Sequence, residues 1–151
     1  MTKQGLRDEL KQAMLAKDEM KTSVLRMILS ALNYFEIQKG GAGYEATEED
    51  VLAVLQKEVK QHNDSIEQFK LGNRLELVEK ETKELEIIKK YLPEQMSEEE
   101  IKKLVTEAIT QTGASAISDM GKVMGALMSK TKGKADGSLV SKLVKEALTA
   151  S

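Results

Sequence analysis

Apolar residues recur at intervals of three and four along most of this chain, and that spacing restricts it to α-helices. The pattern is clearest at residues 24–35 and 101–109. Strands depend on aromatic and β-branched residues, whereas this sequence has no Trp, two Phe and one Pro. We therefore predict an all-α protein.

Local signals divide the pattern into helices. The segments Thr47–Asp50 and Ser97–Glu100 are capping boxes, in which a hydroxyl and a carboxylate each satisfy a free backbone amide of a helix start. Helices are expected to end at Gly72 and Gly113, and polar or glycine-rich stretches at 17–18 and 39–43 separate the first three. A fourth helix is predicted from Leu75 to Leu92.

The single proline marks a division of the chain. Pro93 must end the fourth helix, and the second capping box follows it. Three amphipathic helices come after this point, which is enough to close a small core. We predict an N-terminal long-helix bundle at residues 1–93 and a small C-terminal three-helix bundle at residues 94–151.

The predicted helices also suggest which side chains are buried. In the third helix the apolar stripe is expected to consist of Leu52, Leu55, Val59, Ile66 and Phe69, and His62 falls on it. A lone His on such a stripe is typically a core or boundary residue, and without a second His no metal site is expected. The fourth helix alternates lysines with Glu76, Glu79, Glu81, Glu84 and Glu86, a pattern typical of a solvated face.

Composition argues against catalysis. With no Cys and one His, the sequence lacks an activated nucleophile and its base. The glycines at 40–43 have no preceding strand and no following Gly-Lys-Ser/Thr, so they do not form a phosphate loop. We expect no catalytic residue and no cofactor.

The N-terminus suggests a location. It is charged from residue 3 and lacks the apolar segment of a signal peptide. The most apolar stretch, 24–35, is far shorter than the roughly 20 residues of a membrane span. A cytoplasmic protein without membrane contact is expected.

Charge is unevenly distributed along the chain. The net charge is -2, yet six lysines and two acids lie between Asp119 and Lys145. A role in nucleic-acid binding would have to depend on such a patch. The candidate RNA-binding residues are Lys122, Lys130, Lys132, Lys134, Lys142 and Lys145. Three of them lie in the connection Lys130–Asp136, which is too polar for burial; in it Gly133 suits a helix C-cap and Asp136 an N-cap.

Glycines accompany these lysines. Gly121 and Gly125 lie beside an expected apolar stripe of Met120, Val123, Met124, Leu127 and Met128, where each weakens the helix by roughly 1 kcal/mol relative to Ala. Close approach of another group to the backbone would explain them. Packing of another helix is the first interpretation, and a ligand or phosphate is the alternative. Gly133 is a third candidate for close backbone approach.

This C-terminal segment resembles the tail of the B subunit of the glutamine-dependent tRNA amidotransferase (GatB). The matching positions are Gly121, Val123, Gly125, Met128, Thr131–Ala135 and the following Leu-Val-x-x-Leu. Segments 25–37, 55–61, 65–69 and 91–100 are similar to the free-standing GatB/YqeY-type family. Nearly the whole chain takes part in this resemblance.

The resemblance implies a non-catalytic helical module of tRNA metabolism that binds tRNA or another structured RNA. The amidotransferase tail is thought to engage the body of tRNA. A second hypothesis is a protein-interaction module that docks on an aminoacyl-tRNA-forming or amidating enzyme. A third, favoured least, is a part in carbon–nitrogen ligase activity with glutamine as amido donor, which would be inherited from the larger enzyme.

Overall fold

The computed structural model describes residues 1–150, which form seven α-helices and one short 3-10 helix. The helices are α1 Lys3–Leu15, α2 Glu19–Gly40, α3 Glu48–Leu71, α4 Leu75–Lys89, α5 Glu98–Thr112, α6 Met120–Thr131 and α7 Gly137–Thr149, and the 3-10 helix is Ile117–Asp119. The predicted all-α fold is confirmed. The chain divides into two compact units, here called the N-terminal unit, Met1–Leu92, and the C-terminal unit, which begins at Pro93.

Short-range hydrogen bonds fix where the helices begin. The hydroxyl of Thr47 accepts from the amide of Asp50, whose carboxylate accepts in return from the Thr47 amide. Ser97 and Glu100 make the same reciprocal pair at the start of α5. Both predicted capping boxes are therefore confirmed. Each involves residues three apart in sequence, which explains why local pattern sufficed.

Helix ends depart from expectation in one place. α5 ends as predicted at Gly113, which has a φ of 68° that glycine adopts without strain. α4, however, ends at Lys89 rather than at Leu92. Residues 90–92 continue as turns with bonds to the residue three positions back. The residue before a proline is disfavoured in the α conformation, so Pro93 affects the chain on its N-terminal side as well as at its own position.

The N-terminal unit is held together by one apolar core. α2 contacts α1, α3 and α4, and α3 packs along α4. The largest fully buried side chains here are Leu6, Leu25, Ile28, Leu32, Leu55 and Ile88. All four helices thus contribute to a single buried cluster.

The buried face of α3 differs from the predicted stripe. Its buried positions are Val51, Val54, Leu55, Glu58 and His62, together with the capping residue Asp50. Leu52, Val59, Ile66 and Phe69 are only partly buried. Because α3 packs against both α2 and α4, its buried face is set by two neighbours rather than by the most apolar line along the helix.

In the C-terminal unit, α5, α6 and α7 each contact the other two. Their core contains Ile101, Val105, Val123, Leu127, Val140 and Val144, all nearly or fully buried. Met128, predicted to join the apolar stripe of α6, is instead 60% exposed. The buried side of α6 continues from Leu127 to Thr131, which leaves Met128 facing solvent.

Candidate nucleic-acid interface

The connection between α6 and α7 alternates between buried and exposed residues. Thr131, Gly133 and Ala135 are buried, whereas the lysines between them, Lys132 and Lys134, are exposed. The expectation that this stretch is too polar for burial is therefore wrong for every second residue. A small residue at each buried position lets the backbone lie against the core, so the lysine side chains point outward.

Hydrogen bonds fix the backbone of this connection. Thr131 donates its hydroxyl to the Leu127 carbonyl, and its own carbonyl accepts from the amides of Lys134 and Ala135. Asp136 accepts from the Ser138 amide and so caps α7, as predicted. The lysines are carried by an ordered turn.

The segment that leads into α5 adds two further bonds. The Met96 amide donates to the Lys134 carbonyl at 2.8 Å, and Gln95 Nε2 donates to the Gly133 carbonyl at 3.0 Å. The role of Gln95 and Met96 is not visible in the local sequence pattern, because their partners lie nearly 40 residues away. Gly133 has a φ of 79°, so a left-handed backbone accounts for this glycine.

The six candidate lysines are all exposed, but they do not form one cluster. Lys130 and Lys134 line a depression of about 320 Å³ together with Glu94 and Glu100. Lys122 Nζ lies 4.0 Å from Asp119 Oδ1. Lys142 and Lys145 are one turn apart on α7. The carboxylates beside Lys122, Lys130 and Lys134 reduce the positive potential there.

Gly121 and Gly125 lie on an open face of α6. Both are exposed, and a Cβ added to either would meet no atom within 4 Å. Packing of another helix of this chain, the first interpretation of these glycines, is therefore wrong. Gly121, Gly125 and exposed Met128 form a solvent-facing strip along α6. The part of this strip nearest the start of the helix carries no bulky side chain.

A different cluster lies in the N-terminal unit, where His62 faces α4. The His62 ring is buried, and its Nε2 lies 3.2 Å from Glu84 Oε2 and 3.6 Å from Glu81 Oε2. The side chains of Glu81 and Glu84 are only 21% and 14% exposed, so their assignment to a solvated face was wrong. The available sequence signal was two carboxylates three residues apart on the helix that follows the histidine.

Glu36 on α2 and Asp50 on α3 are two buried carboxylates with basic partners. Glu36 accepts from Lys3 Nζ at 2.6 Å and from the Ala46 amide, and these bonds lower the pKa of Glu36. Asp50 accepts from Lys39, Tyr44 and the Thr47 amide. The bond from Lys39, followed by those from Tyr44 and Thr47, lowers the pKa of Asp50 well below its ordinary value. These groups are all engaged within the fold and serve its structure.

A groove of about 340 Å³ lies between α2 and α3. Tyr34, Phe35 and Val54 supply apolar walls, and the buried carboxylate of Glu58 also lines it. Burial raises the pKa of Glu58 because water is largely excluded from the charged form. Tyr34 is 65% exposed, and Ile37, three residues further along α2, is 64% exposed.

The geometry of neither unit identifies a reaction, and comparison with known proteins supplies the family. The sequence model described as Yqey-like protein matches residues 3–148. The chain belongs to the YqeY-like family. This agrees with the resemblance of its N-terminal segments to the free-standing type, and a YqeY-type helical protein is the description that the fold and the match support together.

Several relatives of this YqeY-like chain are fungal proteins named Altered inheritance of mitochondria protein 41, mitochondrial. The one from Clavispora lusitaniae is 42% identical over 112 residues, which cover 73% of this chain and 64% of the relative. One from Saccharomyces cerevisiae is 36% identical over 126 residues, covering 80% and 66%. This chain thus spans slightly less than two thirds of the length of these relatives.

The names of these relatives contradict the predicted cytoplasmic location, because they are those of mitochondrial proteins. The prediction was drawn from the lack of an apolar N-terminal segment. That lack argues only against a secretory signal, since mitochondrial targeting segments are amphipathic. Among residues 1–150, no helix is long and apolar enough to cross a membrane.

Proposed function

We propose that this YqeY-like protein is a non-catalytic module that binds structured RNA, tRNA in the first place, through its C-terminal unit. The observation that carries the proposal is that the α6–α7 connection has a hydrogen-bonded backbone and exposed lysines. Its buried residues and its bonds to Gln95 and Met96 hold the backbone, while Lys130, Lys132 and Lys134 are exposed on it. A fixed turn that carries exposed lysines loses little conformational freedom when it meets phosphates.

The open face of α6 supports the same function. Gly121 and Gly125 leave room for a bulky group to approach the helix, with Lys122 next in sequence. An RNA backbone, with its phosphates and 2′-hydroxyls, suits a surface that combines cations with accessible main chain. The chain has only five Phe and Tyr residues and no Trp. Recognition by shape and backbone is therefore favoured over stacking on bases.

The charge distribution limits the affinity. Glu94 and Glu100 lie beside two of the lysines, and the molecule carries a net charge of -2. We expect a Kd on the order of micromolar at physiological salt. Neutralising three or four phosphates gives a slope of about -2 to -4 for log K against log salt concentration.

The test replaces Lys130, Lys132 and Lys134 together with Glu and measures tRNA binding across a salt series. Loss of binding and of the salt slope is expected. The matched control changes Lys57, Lys70 and Lys89, exposed residues of the N-terminal unit, to Glu, which alters the net charge equally. Circular dichroism checks that both proteins remain helical. Unchanged tRNA binding in the first variant, or equal losses in both, would contradict the proposal.

A second candidate is docking on an aminoacyl-tRNA-forming or amidating enzyme. It is favoured by the groove between α2 and α3, which Tyr34 lines, and by Ile37 on the same helix, since both side chains are large and mostly exposed. Docking of apolar surface is little affected by salt, whereas phosphate contacts weaken steeply. The salt series therefore separates the two functions. Changing Tyr34 and Ile37 to Ser should abolish docking and leave tRNA binding intact.

A further inference from the structure

His62 lies among groups that together attract a cation. His62 Nδ1 lies 2.8 Å from the Glu58 carbonyl oxygen, which can only accept, so Nδ1 carries a proton and donates it. In a neutral ring the other nitrogen, Nε2, then presents a lone pair. That lone pair faces Oε2 of both Glu84 and Glu81, at 3.2 and 3.6 Å. These three electron-rich atoms lie together in a partly buried place, where a positive charge among them is strongly favourable.

The charge balance favours a divalent ion over a proton. A proton on Nε2 supplies one positive charge against two carboxylates, and a second negative charge would stay largely uncompensated. Lys80 is 4.0 Å from the other oxygen of Glu84, and its side chain is 64% exposed, which makes it a weak compensating partner. A divalent ion neutralises both carboxylates and leaves the ring neutral.

The spacing of the three atoms fits metal coordination. With bonds of about 2.0–2.2 Å to nitrogen and carboxylate oxygen, two ligand atoms of a tetrahedral zinc ion lie about 3.4 Å apart. The two distances from His62 Nε2 bracket this value, and all three ligand atoms lie within 4.8 Å of one another. The bond from Nδ1 to a backbone carbonyl is the partner that metal-bound histidines usually have.

We propose that His62, Glu81 and Glu84 bind a divalent transition-metal ion, with Zn²⁺ as the best fit, and that a fourth position is open to water. The sequence has no second histidine, and for that reason no metal site was expected from it. In the structure, the carboxylates of Glu81 and Glu84 take the place of that histidine. The ion would join α3 to α4 within the N-terminal unit. Because its ligands converge only in the folded state, binding should stabilise that unit.

The experiment titrates the metal-depleted full chain with ZnCl₂ by calorimetry and records the unfolding temperature, Tm. About one ion per chain is expected, with a rise in Tm of about 10 °C at a free Zn²⁺ concentration near 100 times Kd. Glu81→Gln and Glu84→Gln should each weaken binding at least about 100-fold. Both keep side-chain size and therefore the fold. Co²⁺ absorption in the visible range then reports whether coordination is tetrahedral.

The matched control is Glu86→Gln, which removes the same charge from an exposed position of α4. It should bind Zn²⁺ as the unaltered protein does. If Zn²⁺ neither binds nor raises Tm, or if Glu86→Gln weakens binding as much as the two site variants, the proposal is wrong.

Discussion

Single residues in this protein are fixed by charge as much as by apolar packing. Asp50 shows this most clearly, because it is buried at the first turn of α3 yet accepts hydrogen bonds from a lysine, a tyrosine and a backbone amide. Negative charge at this position also suits the positive end of the helix dipole. One side chain therefore caps α3 and ties it to the end of α2.

We predict that Asp50→Asn lowers the free energy of unfolding at neutral pH, because it removes the charged acceptor of Lys39. The folded pKa of Asp50 lies well below its ordinary value of 3.8, so its contribution is complete above that pH and is lost as pH falls toward the lowered pKa. The difference between the two proteins should stay constant from pH 7 to 5 and shrink below about pH 3.8. Urea unfolding at several pH values measures it.

Asp64→Asn is the control for this prediction, because Asp64 is exposed on the same helix. It should leave the free energy of unfolding nearly unchanged at each pH. A difference for Asp50→Asn that varies strongly between pH 5 and 7 would mean that another group controls the stability.

At the scale of helices, termini are determined locally and faces are not. Both capping boxes operate within four consecutive residues, so each helix start is recognisable from local sequence. The exposed side of α6 depends instead on where α5 and α7 lie. Glycines that look suited to helix packing turn out to face solvent.

We predict that Ser97→Ala lowers the free energy of unfolding of the C-terminal unit by about 1 kcal/mol, because the Glu100 amide loses its acceptor. Ser97→Thr preserves a hydroxyl and should cost much less. Hydrogen exchange, which follows the amides of each unit separately, is the measurement. Equal loss of protection throughout the N-terminal unit would show that the chain unfolds as one unit.

We predict that Gly125→Ala stabilises α6 by about 0.5–1 kcal/mol, since the position is exposed within the helix and has space for a methyl group. Gly121→Ala, in the first turn, should stabilise it less. If RNA approaches this face, the double variant binds tRNA more weakly although it is more stable. Ser129→Ala, an exposed change on the same helix, serves as control and should leave tRNA affinity unchanged.

At the scale of the molecule, the chain is two compact units, each with its own core. The C-terminal unit is small, and a core of that size is marginal alone. Its leading segment is nevertheless bonded into it through Gln95 and Met96. The connection between the units is therefore short and lies at Pro93 and Glu94, where the Pro93 carbonyl accepts from Gln95 Nε2.

We predict that a glutamate-specific protease cuts first after Glu94 or after Glu45, which lies in the connection between α2 and α3. Cleavage requires an extended exposed backbone, and helices resist it. Mass spectrometry of early fragments identifies the sites, and the fragment of residues 1–94 should keep its helical circular dichroism. First cuts within α3, for example after Glu67, would show that the division into units is wrong.

The sequence by itself determined the helical class, the capping boxes and most helix ends, because each depends on residues within about one turn of each other. It also pointed to the YqeY-like family through motifs that occupy most of the chain. The lysine-bearing connection was recognisable from composition. Its alternation of buried and exposed residues was not, because that depends on the core beneath it and on Gln95 and Met96.

Only the tertiary structure decided which face of α3 is buried, that Glu81 and Glu84 turn toward His62, and that Gly121 and Gly125 stay uncovered. Each outcome depends on groups far apart in sequence or on a neighbouring helix, and periodicity along one helix carries no information about either. In the sequence, His62 on α3 resembles a core residue, and Glu81 and Glu84 on α4 resemble part of a solvated face. Packing then places their ligand atoms within 4.8 Å of one another, because α3 and α4 lie side by side.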